Sequence, residues 1–309
     1  MTEADNEIDF WQKTITTPCQ HIEIGGVKVV VKRDDLNHSV VQGNKLRKLK
    51  YNLQAAKQKK SETIITFGGA YSNHLLATAF AAQKCGFKSV GVVRGHELAN
   101  NPKTWSKTLL QCKKLGMQLV FISRTEYRLK TQSAEFIKLI ARYPNHYVIP
   151  EGGSNQRALG GVAEIIAELN QQLNAVPTHL FCPVGTGGTV AGLIKGVADA
   201  NWSCKVCGIV VLKGLHSVKD DINQWLTGES RLPDYEIIGD YHGGGYAKNN
   251  TKLNRFSVNF EQQHTIKLDK IYNSKSFYAL AQMIYSGQIT MADRPLIIHT
   301  GGLQGGVNQ

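Results

Sequence analysis

Short apolar runs alternate with longer segments of helical period along most of this chain, and that alternation limits its fold more than any other feature. Strands joined through helices need crossover connections, and crossovers place helices on both faces of a parallel sheet. Residues 63–67, 89–93, 118–122 and 146–149 read as strands. Helical segments lie between them, one starting near Ser72 and others over 103–115 and 131–142. Gly152-Gly153 interrupts the series, and a helix over 158–169 follows. A second series has strands at 178–182 and 206–211 around an alanine-rich helix, then a helix over 277–285 and a buried strand at 295–299. Residues 213–255 show no clear period. At the other end, 20–32 reads as a hairpin turning on Gly25-Gly26. A helix over 44–59 then carries Leu46, Leu49 and Leu53 on one face. The pattern describes two α/β series with a junction near residue 153.

Composition narrows the partners. Lys+Arg 36 against Asp+Glu 24 leaves a formal charge of +12. The basic residues are scattered and not interleaved with aromatics along one stripe, which argues against nucleic acid; attraction for a small anionic substrate or cofactor is a simpler explanation, and a merely soluble surface a simpler one still. Six cysteines in 309 residues are no disulfide framework. Cys204 and Cys207 are three apart on an expected strand, so they face opposite ways and are a poor zinc pair; no metal is expected. The first ten residues are polar and acidic, unlike a signal peptide, and no apolar run approaches membrane-spanning length. A cytoplasmic protein without a membrane partner is the expectation.

Glycine-rich loops follow expected strands at 67–74, 151–155, 182–189 and 299–302, the edge where open α/β sheets bind ligands. Gly185-Thr186-Gly187-Gly188-Thr189 leads into a helix, whose free N–H groups can cradle a phosphate with both threonine hydroxyls assisting. It is neither a dinucleotide fingerprint nor a P-loop, and a plain structural turn is the competing reading. Ser72 and Asn73 stand at another helix start, where they suit N-capping or the binding of a carboxylate or phenolic oxygen. Lys45, in Gly43-Asn44-Lys45, sits in the first turn of the 44–59 helix. The helix start and partial burial would lower its pKa and make it a nucleophile towards an aldehyde; an ordinary solvated lysine is the alternative. Together, a reactive lysine, a phosphate loop and a carboxylate-sized loop describe a pyridoxal 5'-phosphate site acting on a small amino acid.

Several runs resemble the 1-aminocyclopropane-1-carboxylate deaminase/D-cysteine desulfhydrase family: Lys32-Arg33-Asp34-Asp35-Leu36, Gly43-Asn44-Lys45-Leu46-Arg47-Lys48-Leu49 and Gly68-Gly69-Ala70-Tyr71-Ser72-Asn73-His74. Gly243-Gly244-Gly245-Tyr246, Leu268-Asp269-Lys270-Ile271-Tyr272 and His299-Thr300-Gly301-Gly302 extend the likeness over nearly the whole chain. The resemblance implies the tryptophan-synthase-β-like fold (fold type II): two open twisted parallel-sheet domains, a larger one from 1–47 plus 154–309 and a smaller one from 48–153. It also implies a homodimer. By the same resemblance Lys45 forms the Schiff base, Asn73 bonds the cofactor's ring oxygen and Ser72 sits by the substrate carboxylate or moves a proton. Gly185, Thr186, Gly187, Gly188 and Thr189 hold the phosphate, Thr300 belongs to the cofactor site, and Tyr246 and Tyr272 line the substrate side.

Two positions bear on the activity. Where the deaminases carry glutamate after the tyrosine, this chain has Asn273, and Thr300 stands where they carry an apolar residue. A neutral partner at the pyridine nitrogen suits an easy β-elimination, so conversion of D-cysteine to pyruvate, ammonia and sulfide is the expected activity. Deamination of 1-aminocyclopropane-1-carboxylate to 2-oxobutanoate is the alternative. The desulfhydrases carry threonine where Asn273 stands, and Gln42 replaces a small residue. More distant alternatives are a serine/threonine dehydratase, a β-substituting synthase, or a non-catalytic binder of phosphorylated metabolites or nucleic acid.

Overall fold

A computed structural model describes residues 16–212, 217–229, 231–245 and 251–303. These residues form two compact units. Leu49–Ser154 make up one; the other combines Thr16–Lys48 with the chain from Asn155 onward.

The larger unit is built on a six-stranded sheet. Its strands are β1 (Cys19–Ile24), β2 (Val27–Lys32), β7 (His179–Val184), β8 (Lys205–Val210), β9 (Tyr235–Ile238) and β10 (Pro295–Ile298), in the order β1-β2-β10-β7-β8-β9. β1 and β2 form the expected hairpin, Ile24 opposite Val27, with Gly25 and Gly26 both at positive φ in the turn. Every other pairing is parallel. Alternation along the strands divides the side chains between two cores. Leu180, Cys182, Val206, Val210, Leu296 and Ile298 pack on one side with helices α6 (Gln156–Gln172) and α7 (Gly188–Asp199). Val29, Val31, Phe181, Cys207, Ile209 and Ile297 pack on the other with α9 (Thr251–His264) and α10 (Asn273–Tyr285). Cys204 and Cys207 fall in opposite cores.

The smaller unit holds an all-parallel sheet of β3 (Thr63–Gly68), β4 (Lys88–Arg94), β5 (Gln118–Ile122) and β6 (His146–Ile149), in the order β5-β4-β3-β6. Its helices are α2 (Asn73–Lys84), α3 (Lys107–Lys114), α4 (Arg124–Leu129) and α5 (Ala134–Ile140). Helix α1 (Asn44–Gln58) begins in the larger unit and ends in the smaller. No helix among the described residues is long and apolar enough to cross a membrane.

Three local expectations change. The helix expected over 103–115 starts only at Lys107, because the Ser106 hydroxyl accepts from Leu109 N and caps it there. The segment expected over 131–142 contracts to α5, capped by Ser133, and α4 precedes it with its own cap, Ser123. Residues 213–255 contain α8 (Val218–Trp225), β9 and the start of α9. β9 has four residues, too few for a period to register, and it forms by pairing with β8.

Candidate active site

The C-terminal ends of β2, β7, β8 and β10 lie along one edge of the larger sheet, since all four run parallel. Three polar loops leave that edge and meet. The loop after β2 leads to Gly43, whose N–H donates to Asn37 Oδ1 at 2.8 Å and whose carbonyl accepts from Asn37 Nδ2 at 3.0 Å. Gly43 has φ +62°, and a Cβ there would stand 2.0 Å from the Thr300 carbonyl oxygen. The loop after β10 therefore packs flush against the start of α1, with Asn44 N donating to Thr300 O at 3.4 Å. Gly43→Ala is expected to cost roughly 3 kcal/mol by combining a backbone overlap with a left-handed strain. Urea unfolding measures this.

One residue on, the Asn44 amide ties two groups together. Its Oδ1 accepts from Lys45 Nζ at 2.9 Å, and its Nδ2 donates to Thr189 Oγ1 at 2.7 Å. Lys45 is half-buried. Burial pushes its pKa down to about 8, against the opposing pull of the Asp269 carboxylate. An amine lowered in this way is the kind that could act as a nucleophile. A turn later, Lys48 is buried too, and burial followed by the charge of Lys45 holds its pKa well below the ordinary lysine value.

The loop after β7 carries Gly185, Thr186 and Gly187 into α7. Gly187 takes the N-cap position in left-handed conformation (φ +80°), and no side chain caps the helix. Helices α2 to α6 all start with a serine or asparagine cap. The N-cap residue thus offers no side-chain acceptor to the first N–H groups of α7, an arrangement that suits a phosphate. A Cβ on Gly185 would meet Tyr272 Cε1 at 3.2 Å, so the tyrosine ring lies over this loop. Lys45 Nζ stands 6.0 Å from the centroid of the same ring. Tyr272 is set by Asp269, whose carboxylate accepts from the N–H groups of Ile271, Tyr272 and Asn273 at 3.0, 2.9 and 2.8 Å.

Lys45, the 185–189 loop, Tyr272 and Thr300 therefore converge at one edge of the larger unit. Ser72 and Asn73 belong to the smaller unit. Ser72 caps α2, accepting from Leu75 N at 3.3 Å, and Asn73 is the first helical residue. Tyr246 lies outside the described residues. Three contributors carried no role in the sequence reading: Asn44, Lys48 and Asp269. Lys48 was legible, because residues three apart on a helix share a face. Asp269 also had a signal, since an aspartate just before a helix commonly turns back to accept from its N–H groups. The Asn44–Thr189 bond spans 145 residues of sequence and had none.

Two lysines whose pKa burial lowers, an uncapped helix start opened by glycine and a tyrosine ring over it fit a phosphate-bearing aldehyde. Comparisons point the same way. The family model described as "Pyridoxal-phosphate dependent enzyme" matches residues 11–301. A putative 1-aminocyclopropane-1-carboxylate deaminase of Thermotoga maritima is 32% identical, with 94% of each chain covered. A mitochondrial bifunctional D-cysteine desulfhydrase/1-aminocyclopropane-1-carboxylate deaminase of Arabidopsis thaliana is 30% identical, covering 91% of this chain and 73% of that one. Among solved structures, an ACC deaminase homologue superposes with a TM-score of 0.81 at 27% identity, covering 94% of this chain and 90% of the other.

Proposed function

The chain belongs to the family of pyridoxal-phosphate dependent enzymes, with their fold type II architecture, and from that premise we propose that it carries out α,β-elimination and deamination of a small amino acid, D-cysteine foremost. The observation that carries the chemistry is the Lys45 amine, held by Asn44 and lowered to about 8 by burial. When bound, the cofactor supplies an aldehyde for that amine and an electron-withdrawing ring that acidifies the substrate Cα.

The protein's own residues supply the rest. The N–H groups of 185–189 and the start of α7 would hold the phosphate, with the Thr186 and Thr189 hydroxyls assisting. Lys45, with a pKa near the working pH, takes the proton from Cα. The β-thiolate then leaves with the electron pair of the C–S bond. Hydrolysis of the released enamine gives pyruvate and ammonia. On the strength of the resemblance, Ser72 is assigned to the substrate carboxylate or proton transfer, Asn73 to the cofactor's ring oxygen, and Tyr272 and Tyr246 to the substrate side.

D-Cysteine is favoured by the residues at 273 and 300. Asn273 brings no carboxylate to the position where the resemblance puts the deaminase's glutamate, and its amide is spent inside the protein on Asp269, Gly301 and Thr300. The cyclopropane amino acid is the second reading, favoured by the name of the Thermotoga relative. A substrate panel with both enantiomers of cysteine and serine tests the proposal. Pyruvate and sulfide from D-cysteine are expected, and 2-oxobutanoate from the cyclopropane substrate alone would reverse the assignment.

A further inference from the structure

Asn273 is completely buried and uses all of its hydrogen-bonding capacity. Nδ2 donates to Asp269 Oδ1 at 2.6 Å and to the Gly301 carbonyl at 2.8 Å. Oδ1 accepts from Thr300 N at 2.9 Å and Thr300 Oγ1 at 3.3 Å. Two donors and two acceptors on one short side chain require an amide; neither a carboxylate nor a hydroxyl could make the set. The loop it grips holds Gly301 at φ +77° and Gly302 at φ +91°, conformations that glycine takes readily and other residues rarely do.

That loop in turn meets the start of α1. The Thr300 carbonyl lies against Gly43 and accepts from Asn44 N. Gln42 holds the loop from its other side: its Oε1 accepts from Leu303 N at 3.1 Å, and a Cβ on Gly301 would stand 2.9 Å from Gln42 Cβ. His299 Nδ1 accepts from Gly301 N at 3.3 Å. The two positions that depart from both sequence patterns, 42 and 273, thus brace one loop from opposite sides.

We propose that Asn273 is a positioning residue for Lys45, holding the 300–301 peptide against Gly43 and Asn44 and so fixing where the Lys45 amine stands. This rests on the reading of Lys45 as the reactive amine. Without the Asn273 amide, the Thr300 N–H and Gly301 carbonyl lose their buried partners. The loop then draws away, and water reaches the amine. Asn273→Ala also frees an oxygen of Asp269, which by itself draws the amine's pKa up, whereas Gln42→Ala leaves Asp269 and Lys48 with their partners, so a shift shared by both variants reports solvation.

The test follows capture of added pyridoxal 5'-phosphate by the cofactor-stripped full chain, read as visible absorbance against pH. The wild type should show a midpoint near 8. Asn273→Ala should move it up by about one unit and slow capture roughly tenfold at pH 7.5, since an amine returned to water regains its charge. Val206→Ala, a core change on β8, should lower stability without moving the midpoint. Gln42→Ala should shift it in the same direction as Asn273→Ala and serves as the second variant if Asn273→Ala does not fold. A midpoint unmoved in the folded variants overturns the proposal. Borohydride fixation followed by peptide mapping separates the two readings. Label on another lysine overturns both, whereas label on Lys45 with an unmoved midpoint overturns this one alone.

Discussion

Lys45→Ala is expected to purify colourless and to lose turnover by roughly 10³-fold or more, because on the proposed reading one amine both anchors the cofactor and moves the proton. Its effect on stability should have the opposite sign. The folded pKa of about 8 lies below the ordinary 10.5, so the unfolded chain binds the proton more tightly than the folded one. The resulting penalty on the folded state is full below about pH 8 and fades as pH rises towards 10.5. Alanine removes it. The stripped variant should therefore resist urea at least as well as the stripped wild type at pH 7, and the advantage should vanish near pH 10.5. A persistent visible band in the variant, or turnover close to wild type, would count against Lys45.

Arg47→Leu is expected to lose about 3–5 kcal/mol of stability, the usual result of removing one member of a buried ionic cluster. Arg47 is 1% exposed. Its Nη2 bonds Asp34 Oδ1 at 2.7 Å and its Nη1 bonds Glu168 Oε1. Glu168 also takes Lys32 Nζ at 2.8 Å, and Lys32 continues to Gln172 and the Thr17 carbonyl. The cluster pins the loop after β2 and the first turn of α1 to α6. Burial works against the Glu168 charge, but Arg47 and then Lys32 outweigh it and hold that carboxyl below its ordinary value. A depressed carboxyl stabilises the fold above its unfolded pKa, and that stability is lost as pH falls through the folded pKa. Leucine at 47 should therefore lower the urea midpoint at pH 7 and also bring acid unfolding on at a higher pH. Cofactor capture should weaken as well, since Arg47 lies two residues from Lys45. An unfolding free energy within about 1 kcal/mol of wild type would show that the cluster contributes little.

Much of the framework was legible without coordinates. Period-two runs such as Val29 and Val31, with Gly25-Gly26 before them, predict the hairpin that forms. Continuous apolar runs such as Ile64-Ile65-Thr66-Phe67 predict strands covered on both faces, and β3 is buried at every position. Helix ends were less legible. Ser106 and Ser133 compete with an apolar period that runs on through them, and a cap ends a helix more decisively than a period extends it. β9 and α9 were missed because their residues are short in number or polar, and they are held by neighbours distant in sequence.

The sequence by itself determined the alternating α/β order, the glycine loops at strand ends, and a lysine at a helix start with a phosphate-sized loop far downstream. These follow from local rules of backbone sterics, side-chain period and capping, which act over a few residues. Tertiary structure decided the rest. Lys45 owes its lowered pKa to burial, its place to Asn44 and Thr189, and the fit of its turn to the Thr300 carbonyl against Gly43. Thr189 lies 144 residues from Lys45 and Thr300 lies 257 from Gly43, and desolvation and close packing exist only once the chain has folded.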